Sequence, residues 1–349
     1  MVGIDISDRS IKVAEVTRSD TAVLRTVCWS PVPTGLIDRG VIKDVDGVSA
    51  KLQEALIKCS PVSVVGKKVV VSIPETQSFV RVVEIPIMPE KDIDEAIQWA
   101  IRQHIPFDLE WVYLDWQPLV SPARVAGHQQ VLVGAARRDV VGPLMVVLDN
   151  LKLSIIALEL EAQAVARSLL PMNEPEVRGV LVIDLGATAT NVVFYDQGTM
   201  RFTTSIQQGG DDLTNVLAQT LHLEPDIAAE KKATVGVSLD VQDASITTVL
   251  REATQQMVVR IAQVVRQMMA QTDETNQIQA ILLAGGSANL PGISDIFTEV
   301  FPGIPVQLGN PWTNLEQNRE KAGLTLSTAD ALHFVTALGL ALREEDEYA

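Results

Sequence analysis

The chain has 349 residues, 47% of them hydrophobic, with 44 acidic against 28 basic side chains and a formal net charge of −16. That composition supplies a sizeable core and excludes a disordered chain. The acidic balance excludes a nucleic-acid binder, which needs a basic face. At roughly 150 residues per domain, the length suits two domains or one composite fold.

Cys28 and Cys59 are the only cysteines. They make no disulfide framework and no cysteine metal site, and the simplest fit is a reducing compartment, the cytosol. The start Met1-Val2-Gly3-Ile4-Asp5 enters structured sequence without a basic n-region or cleavage site. No apolar stretch approaches the roughly 18 residues that a bilayer span needs, so any membrane association is expected to come through a partner.

In chain order, Val2–Ile6 and Lys12–Val16 read as a β-hairpin. Residues 46–60 place Val48, Leu52, Ala55, Leu56 and Cys59 at helical spacing, and Pro61 stops the turn. Lys67–Ile73 is a buried strand by composition. Residues 79–158 then predict a self-contained β-α-β-β-α-β block. Its elements are a strand at Phe79–Ile85, an amphipathic helix from Pro89 to His104 ended by Pro106, and strands at Val112–Leu119 and Gln130–Ala136. A helix at Asp139–Leu151 and a strand at Ser154–Leu160 close it. Trp99, Trp111 and Trp116 cluster in this block, as core aromatics or as partner anchors, with core the simpler expectation.

After the two-proline segment Pro171–Pro175 the pattern begins again, with a hairpin at Val180–Leu185 and Asn191–Tyr195. Helices are expected at Asp211–Leu221, at Asp226–Lys232 and, at length, from Ser245 to Thr272 with Met257, Ile261, Val264, Val265 and Met268 on its apolar face. Ile278–Ala284 reads as a strand that runs into Gly285-Gly286, and Ala331–Arg343 as a final helix. The acidic run Glu344–Glu347 is expected to be solvated.

The most informative feature is a duplication. Residues Ile4–Val13 lie over Ile183–Val192 at a constant offset of 179 residues. In each copy an apolar strand ends in a carboxylate, a small or polar loop follows, and a second strand returns. Two unrelated hairpins that each carry Asp are the alternative; a match over ten positions favours two related halves that face each other. Such loops expose backbone N–H groups to phosphate oxygens, and an Asp at each strand end can hold Mg²⁺, directly or through water. In the second loop Gly186 permits close approach, and Thr188 and Thr190 supply hydroxyls. In the first, Ser7 stands where glycine is easiest and Asp8 adds a negative charge, with Arg9 able to neutralise it; that weakens the case for fast hydrolysis more than the case for binding. Leu282–Ala288 adds a strand with a double glycine at its end, a turn by itself, but able to bring backbone against a base or ribose.

In this order the three segments resemble the actin and sugar-kinase ATPase superfamily, and the inserted block is similar to that of the FtsA family and its relative, the PilM family of type IV pilus assembly proteins. Ile85-Pro86 before an acidic helix, Asn310-Pro311-Trp312 and the Val335–Arg343 ending favour PilM. The resemblance implies an α/β, actin-like (ribonuclease H-like, duplicated) fold. Residues 1–78 and 159–175 would form the first half, 79–158 the inserted subdomain, 176–330 the second half, and 331–349 a helix returning to the first half.

It further implies ATP or ADP with Mg held by Asp5 and Asp184. Asp5, Ser7, Asp8, Arg9, Ser10 and Lys12 match the first phosphate motif, and Asp184, Gly186, Ala187, Thr188 and Thr190 the second. Gly209, Gly210 and Asp211 match the turn after it, Lys232 a basic residue near the ribose, and Gly285, Gly286 and Ser287 the adenosine motif. Glu161 falls where relatives carry an acid near the attacking water; a polar helix start is the other reading. The implied function is a cytoplasmic adaptor at the inner face of the inner membrane, at most a slow ATPase. It would capture the amino-terminal tail of a PilN-like protein, in a groove flanked by Phe79–Ile85 and Ile93–His104, and link it to assembly or retraction motors. Self-association is open. The alternatives are an FtsA-like filament former and a small-molecule kinase; the absence of an amphipathic helix at the end argues against the first, and the altered first loop against the second.

Overall fold

The computed structural model describes residues 1–18, 20–102, 105, 108–122, 126–171, 177–238, 243–271, 278–316 and 326–344. His104, Pro106, Thr272, Pro175 and the acidic run after Glu344 lie outside the described residues.

The first 74 residues give β1 (Val2–Ile6), β2 (Ser10–Arg18), β3 (Ala22–Pro31), the short pair β4 (Ile37–Asp38) and β5 (Val41–Ile42), α1 (Val45–Ile57) and β6 (Lys68–Ile73). Asp44 caps α1 by accepting from the Gly47 N–H at 2.9 Å. Next come β7 (Ser78–Pro86), α2 (Glu90–Ile101), β8 (Val112–Pro122), β9 (His128–Arg137), α3 (Arg138–Asn150), β10 (Ser154–Leu160) and α4 (Glu161–Leu169). The remainder forms β11 (Val180–Leu185), β12 (Thr190–Asp196), β13 (Thr199–Ile206), α5 (Gly210–Leu221), α6 (Pro225–Val235), α7 (Ala244–Gln271), β14 (Ala280–Ala284), α8 (Ile293–Val300), β15 (Val306–Leu308), α9 (Thr328–Ala331) and α10 (Val335–Ala341).

The duplication is written in the sheets. The first runs β10-β6-β1-β2-β3, and the second begins β15-β14-β11-β12-β13. Both hairpins are antiparallel in the same register, with Asp5 opposite Lys12 and Asp184 opposite Asn191. Each first strand has a parallel neighbour, β6 or β14, supplied by a later segment. Both turns close alike: the Ser7 N–H donates to the Ser10 carbonyl at 2.9 Å and the Gly186 N–H to the Ala189 carbonyl at 3.0 Å. Buried Val, Ile and Leu fill each half's core, joined in the second by four Phe, and β-branched side chains suit strands covered on both faces. The mixed α/β architecture is actin-like.

Two elements of the expected 79–158 insertion belong elsewhere. β10 pairs in parallel with β6, and the α3 side chains Leu144, Val147 and Leu148 pack into the first half's core with Val48 and Leu52 of α1. What stands apart is β7, α2, β8 and β9, in which Ile93, Ile97 and Ile101 of α2 cover Val83, Ile85, Val131 and Val133. Periodicity located these strands but could not say which sheet each would join. This module extends the second sheet, in the order β13-β7-β9-β8, through a bridge between Phe202 and Arg81. β3 and β13, which the pattern alone did not predict, complete the two sheets.

The final helix is broken into α9, a 3₁₀ turn at Leu332–Phe334, and α10. α10 packs on β2 and α4; Gly339 permits this, since a Cβ there would fall 1.7 Å from the Ala164 carbonyl oxygen. Cys28 and Cys59 are joined in a disulfide, contrary to the expectation from their number. β3 and the segment after α1 meet at the Val27–Ser60 bridge, and that brings the two sulfurs together. The compartment argument from cysteine usage therefore falls away. Trp99 and Trp111 are 66% and 69% exposed, so they are not core aromatics; Trp116 is half-buried, its Nε1–H donating to Asp94 at 2.7 Å. Glu344 is exposed and pairs with Arg18 at 2.6 Å at the surface.

Candidate nucleotide cleft

The carboxyl ends of β1 and β11 deliver their loops to one cleft of about 480 Å³. Asp5, Ser7, Asp8, Arg9, Ser10 and Lys12 line it from the first half; Asp184, Gly186, Ala187 and Thr188 line it from the second. The duplicated carboxylates thus share one wall-to-wall space.

Asp5 is buried and held by two donors, Ser72 Oγ at 3.1 Å and Lys12 Nζ at 3.2 Å. Asp184 is pushed up to about 6: burial raises it, the Lys12 ammonium opposes that, and the Asp5 carboxylate adds to it. Lys12 thus sits at the base of the cleft between the two acids.

Beneath them lie two further carboxylates. Glu161, at the start of α4, is raised well above the ordinary carboxylate range by burial and by the charges of Asp5, Glu75 and Asp184. Asn191 Nδ2 donates to its Oε2 at 2.9 Å. Glu75 is also raised by burial, against a 2.5 Å hydrogen bond from Thr203 Oγ1. Sequence reasoning missed Glu75, Asn191 and Ser72. No local signal marked Glu75: only the fold shows that it follows β6 across Pro74 as Glu161 follows β10, so that both acids leave parallel strands toward the cleft.

The loops differ in detail from expectation. Asp8 reaches across the cleft, accepting from the Gly40 N–H at 2.8 Å and from Thr188 Oγ1 of the second loop at 3.1 Å. Arg9 does not neutralise it; its Nε–H donates to Asp211 at 2.8 Å, a half-exposed pair that spans the cleft mouth. Thr190 is a correction. Its side chain is fully buried and donates to the Gln208 carbonyl at 2.8 Å, so it braces the turn after β13 and offers no hydroxyl to a ligand.

Gly209 does not line the cleft but sits behind the second loop, where a Cβ would meet the Ala187 carbonyl oxygen at 2.5 Å. The N–H groups of Gly210 and Asp211 donate to the carbonyls of Gly186 and Ala187, tying those oxygens toward α5. Gly210, Asp211, Lys232, Gly285, Gly286 and Ser287 all line the same cleft. Lys232 Nζ donates to the Gly210 carbonyl at 2.6 Å, and burial lowers its pKa. A Cβ at Gly285 would stand 2.3 Å from Asp184 Oδ1, and Gly285 has a φ of +81° that side chains rarely adopt. His333, unnoticed in the sequence, covers Gly286, with its ring 2.8 Å from where a Cβ would be.

Chemically, the floor is glycine, the two ends carry hydroxyls and lysines, and four carboxylates gather below. That set fits a magnesium-bound polyphosphate: Asp5 and Asp184 suit a hard cation with oxygen ligands, and Lys12 and Lys232 oppose phosphate charge. The flat Gly285-Gly286 segment suits a base or ribose.

Comparison with known proteins gives a consistent result. The family model "Type IV pilus assembly protein PilM" matches residues 3–345. The chain of a solved PilM-PilN type IV pilus biogenesis complex is 26% identical, with a TM-score of 0.79 over 98% of this chain and 97% of that one. FtsA, the cell division protein of Streptococcus pneumoniae, is 24% identical over 347 residues, 88% of this chain and 75% of its own. MreB5 of Spiroplasma citri bound to AMPPNP shares the fold at 12% identity and a TM-score of 0.55, over 97% of this chain and 93% of that one. Among the described residues, no helix is long and apolar enough to cross a membrane.

Proposed function

Because this chain belongs to the PilM family of type IV pilus assembly proteins, we propose that it is a nucleotide-binding adaptor of the pilus assembly complex. It works in the cytoplasm, at the inner face of the inner membrane, where it captures the tail of a PilN-like protein. The supporting observation is the single cleft lined by both loops, with Asp5 and Asp184 near enough for the charge of one to act on the other.

In this reading the Ser7–Ser10 and Gly186–Thr188 loops grip the phosphates from opposite sides, and Gly285, Gly286 and Ser287 bear the base and ribose. Asp5 and Asp184 hold Mg²⁺, which offsets phosphate charge. Glu161 would orient an attacking water. It is protonated more readily than an ordinary carboxyl and already occupied by Asn191, so turnover is slow and the nucleotide serves mainly to clamp the halves.

The partner's tail would lie beside β7 and α2. The module that carries them is joined to the second half through β13 and β7, and it follows in the chain directly on the cleft segment whose Glu75 accepts from Thr203 of β13. Closure on nucleotide would therefore move the module relative to the first half and alter the tail's groove. Contact with a motor would follow from the same displacement.

Calorimetric titration of the full chain with Mg-ATP and with a synthetic tail peptide, each in the other's presence, tests this reading. Binding of both, with mutual dependence, is expected. No heat with Mg-ATP overturns the nucleotide reading, no heat with the peptide overturns the partner, and steady phosphate release near several per second overturns the adaptor role.

A further inference from the structure

Four lysine and arginine side chains line the cleft: Arg9, Lys12, Arg39 and Lys232. Three are engaged. Arg9 donates to Asp211 and Thr34, Lys12 to Asp5, and Lys232 to the Gly210 carbonyl. The exposed Arg39 guanidinium has no hydrogen bond or ion pair with a described residue, although Asp8, Glu75 and Glu161 line the same cleft.

Its backbone is far less free. Arg39 and Gly40 make the two-residue turn between β4 and β5, with φ of +49° and +78°. A turn with both residues left-handed fits a tight hairpin, but Asn, Asp or Gly occupies its first position most easily. Arginine is held there against a steric preference. The turn is also fixed on both flanks. The Gly40 N–H donates to Asp8 Oδ1 at 2.8 Å, and the Arg39 carbonyl accepts from Gln77 Nε2 at 2.8 Å and from Thr76 Oγ1 at 3.2 Å. A Cβ on Gly40 would stand 2.5 Å from that of Pro74, so the turn is seated on the segment that carries Glu75. The Glu75 N–H in turn donates to Glu161 Oε2 at 3.4 Å.

We propose that Arg39 binds the terminal phosphate of a nucleoside triphosphate, a contact that a diphosphate cannot make. This rests on the nucleotide reading above and adds a residue that neither phosphate loop supplies. Gly210, Lys232 and Ser287 cluster on the second half, at the end assigned to base and ribose. Arg39 is anchored on the first half, between Asp8 and the two acids beneath the cleft, so the phosphate group farthest from the base is the one it meets. A guanidinium presents a planar fork of N–H donors that matches two phosphate oxygens, and this one gives up no protein partner to do so. It also resolves a charge problem. Asp8 opposes an anionic ligand and Arg9 is committed to Asp211, whereas Arg39, tied to Asp8 through Gly40, brings a free positive charge to the same place.

Calorimetry of the full chain with Mg-ATP and with Mg-ADP decides it. Arg39→Gly removes the guanidinium and suits the turn better, so melting temperature should hold or rise. Its affinity for Mg-ATP should fall about tenfold or more, the size of one charge-assisted hydrogen bond, and that for Mg-ADP by less than about twofold. Arg39→Glu should weaken Mg-ATP further still and again spare Mg-ADP. Variants that bind Mg-ATP as tightly as wild type, or that lose Mg-ATP and Mg-ADP equally, would overturn the assignment of Arg39 and leave the nucleotide reading standing. Wild type that binds neither nucleotide would overturn that reading and this inference with it.

Discussion

Thr188 Oγ1 donates to Asp8 Oδ2 at 3.1 Å, so the two loops that would clasp a polyphosphate already hold each other across the cleft. The carboxylate accepts where a phosphate oxygen would, and Asp8 therefore competes with an anionic ligand for the second loop. Asp8→Asn removes the charge, while its Oδ1 can still accept from the Gly40 N–H and its Nδ2 can donate to the Thr188 hydroxyl instead of accepting from it. A unit charge about 4 Å away in water-like surroundings is worth about 1 kcal/mol, so Mg-nucleotide affinity should rise about fivefold. Calorimetry that finds unchanged or weaker binding would show that Asp8 does not face the phosphates.

Asp184 titrates at about 6, raised first by burial. Its folded form holds a proton more tightly than the unfolded chain does. The associated stability is therefore full below the ordinary Asp range and lost as pH rises from about 4 through about 6. Ligand-free thermal melts should show this loss, and Asp184→Asn should flatten it. Cation-dependent nucleotide binding should run oppositely, weakening up to about tenfold per pH unit below 6. Asp184→Ala should weaken it at all pH values; affinity equal to wild type would remove β11's loop from the site.

Glu161→Gln should separate binding from turnover. The amide keeps an oxygen to accept from Asn191 and removes a desolvated charge that Asp5, Glu75 and Asp184 oppose. Melting temperature should stay level or rise, nucleotide affinity should hold, and phosphate release should drop to background. Release at the wild-type rate would leave Glu161 a structural residue.

Gly285→Ala should be costly in both respects. The backbone conformation alone costs about 1–3 kcal/mol for a residue with a side chain, and the new methyl would press on Asp184. A fall of several degrees in melting temperature is expected together with lost nucleotide binding. A stable variant that binds normally would mean that this segment relaxes freely.

The tryptophans of the chain should divide by position. Trp99→Ala and Trp111→Ala, on exposed sites, should change stability by no more than about 0.5 kcal/mol. Trp312→Ala, in the core under α10 with its Nε1–H donating to Thr328 at 3.3 Å, should cost about 3–5 kcal/mol. Chemical denaturation distinguishes these. Loss of tail-peptide binding in the first two, without loss of stability, would mark them as partner contacts.

The sequence by itself determined the repeated unit: strand, carboxylate, small loop and returning strand are local, and the same ten-residue pattern gives the same register and the same turn-closing hydrogen bond at Ser7 and at Gly186. It also located α1, α2, α5 and α7, because apolar periodicity and caps act over a few residues. Only the tertiary structure decided what those local units meet. Whether α3 and β10 joined the module or the first sheet, whether Cys28 reached Cys59, and whether Thr190 faced a ligand or the Gln208 carbonyl depended on residues far away in the chain. Glu75 was invisible for the same reason. A lone acid after Pro74 carries no message until β6 lies beside β1 and β10, and burial sets its charge against that of Glu161.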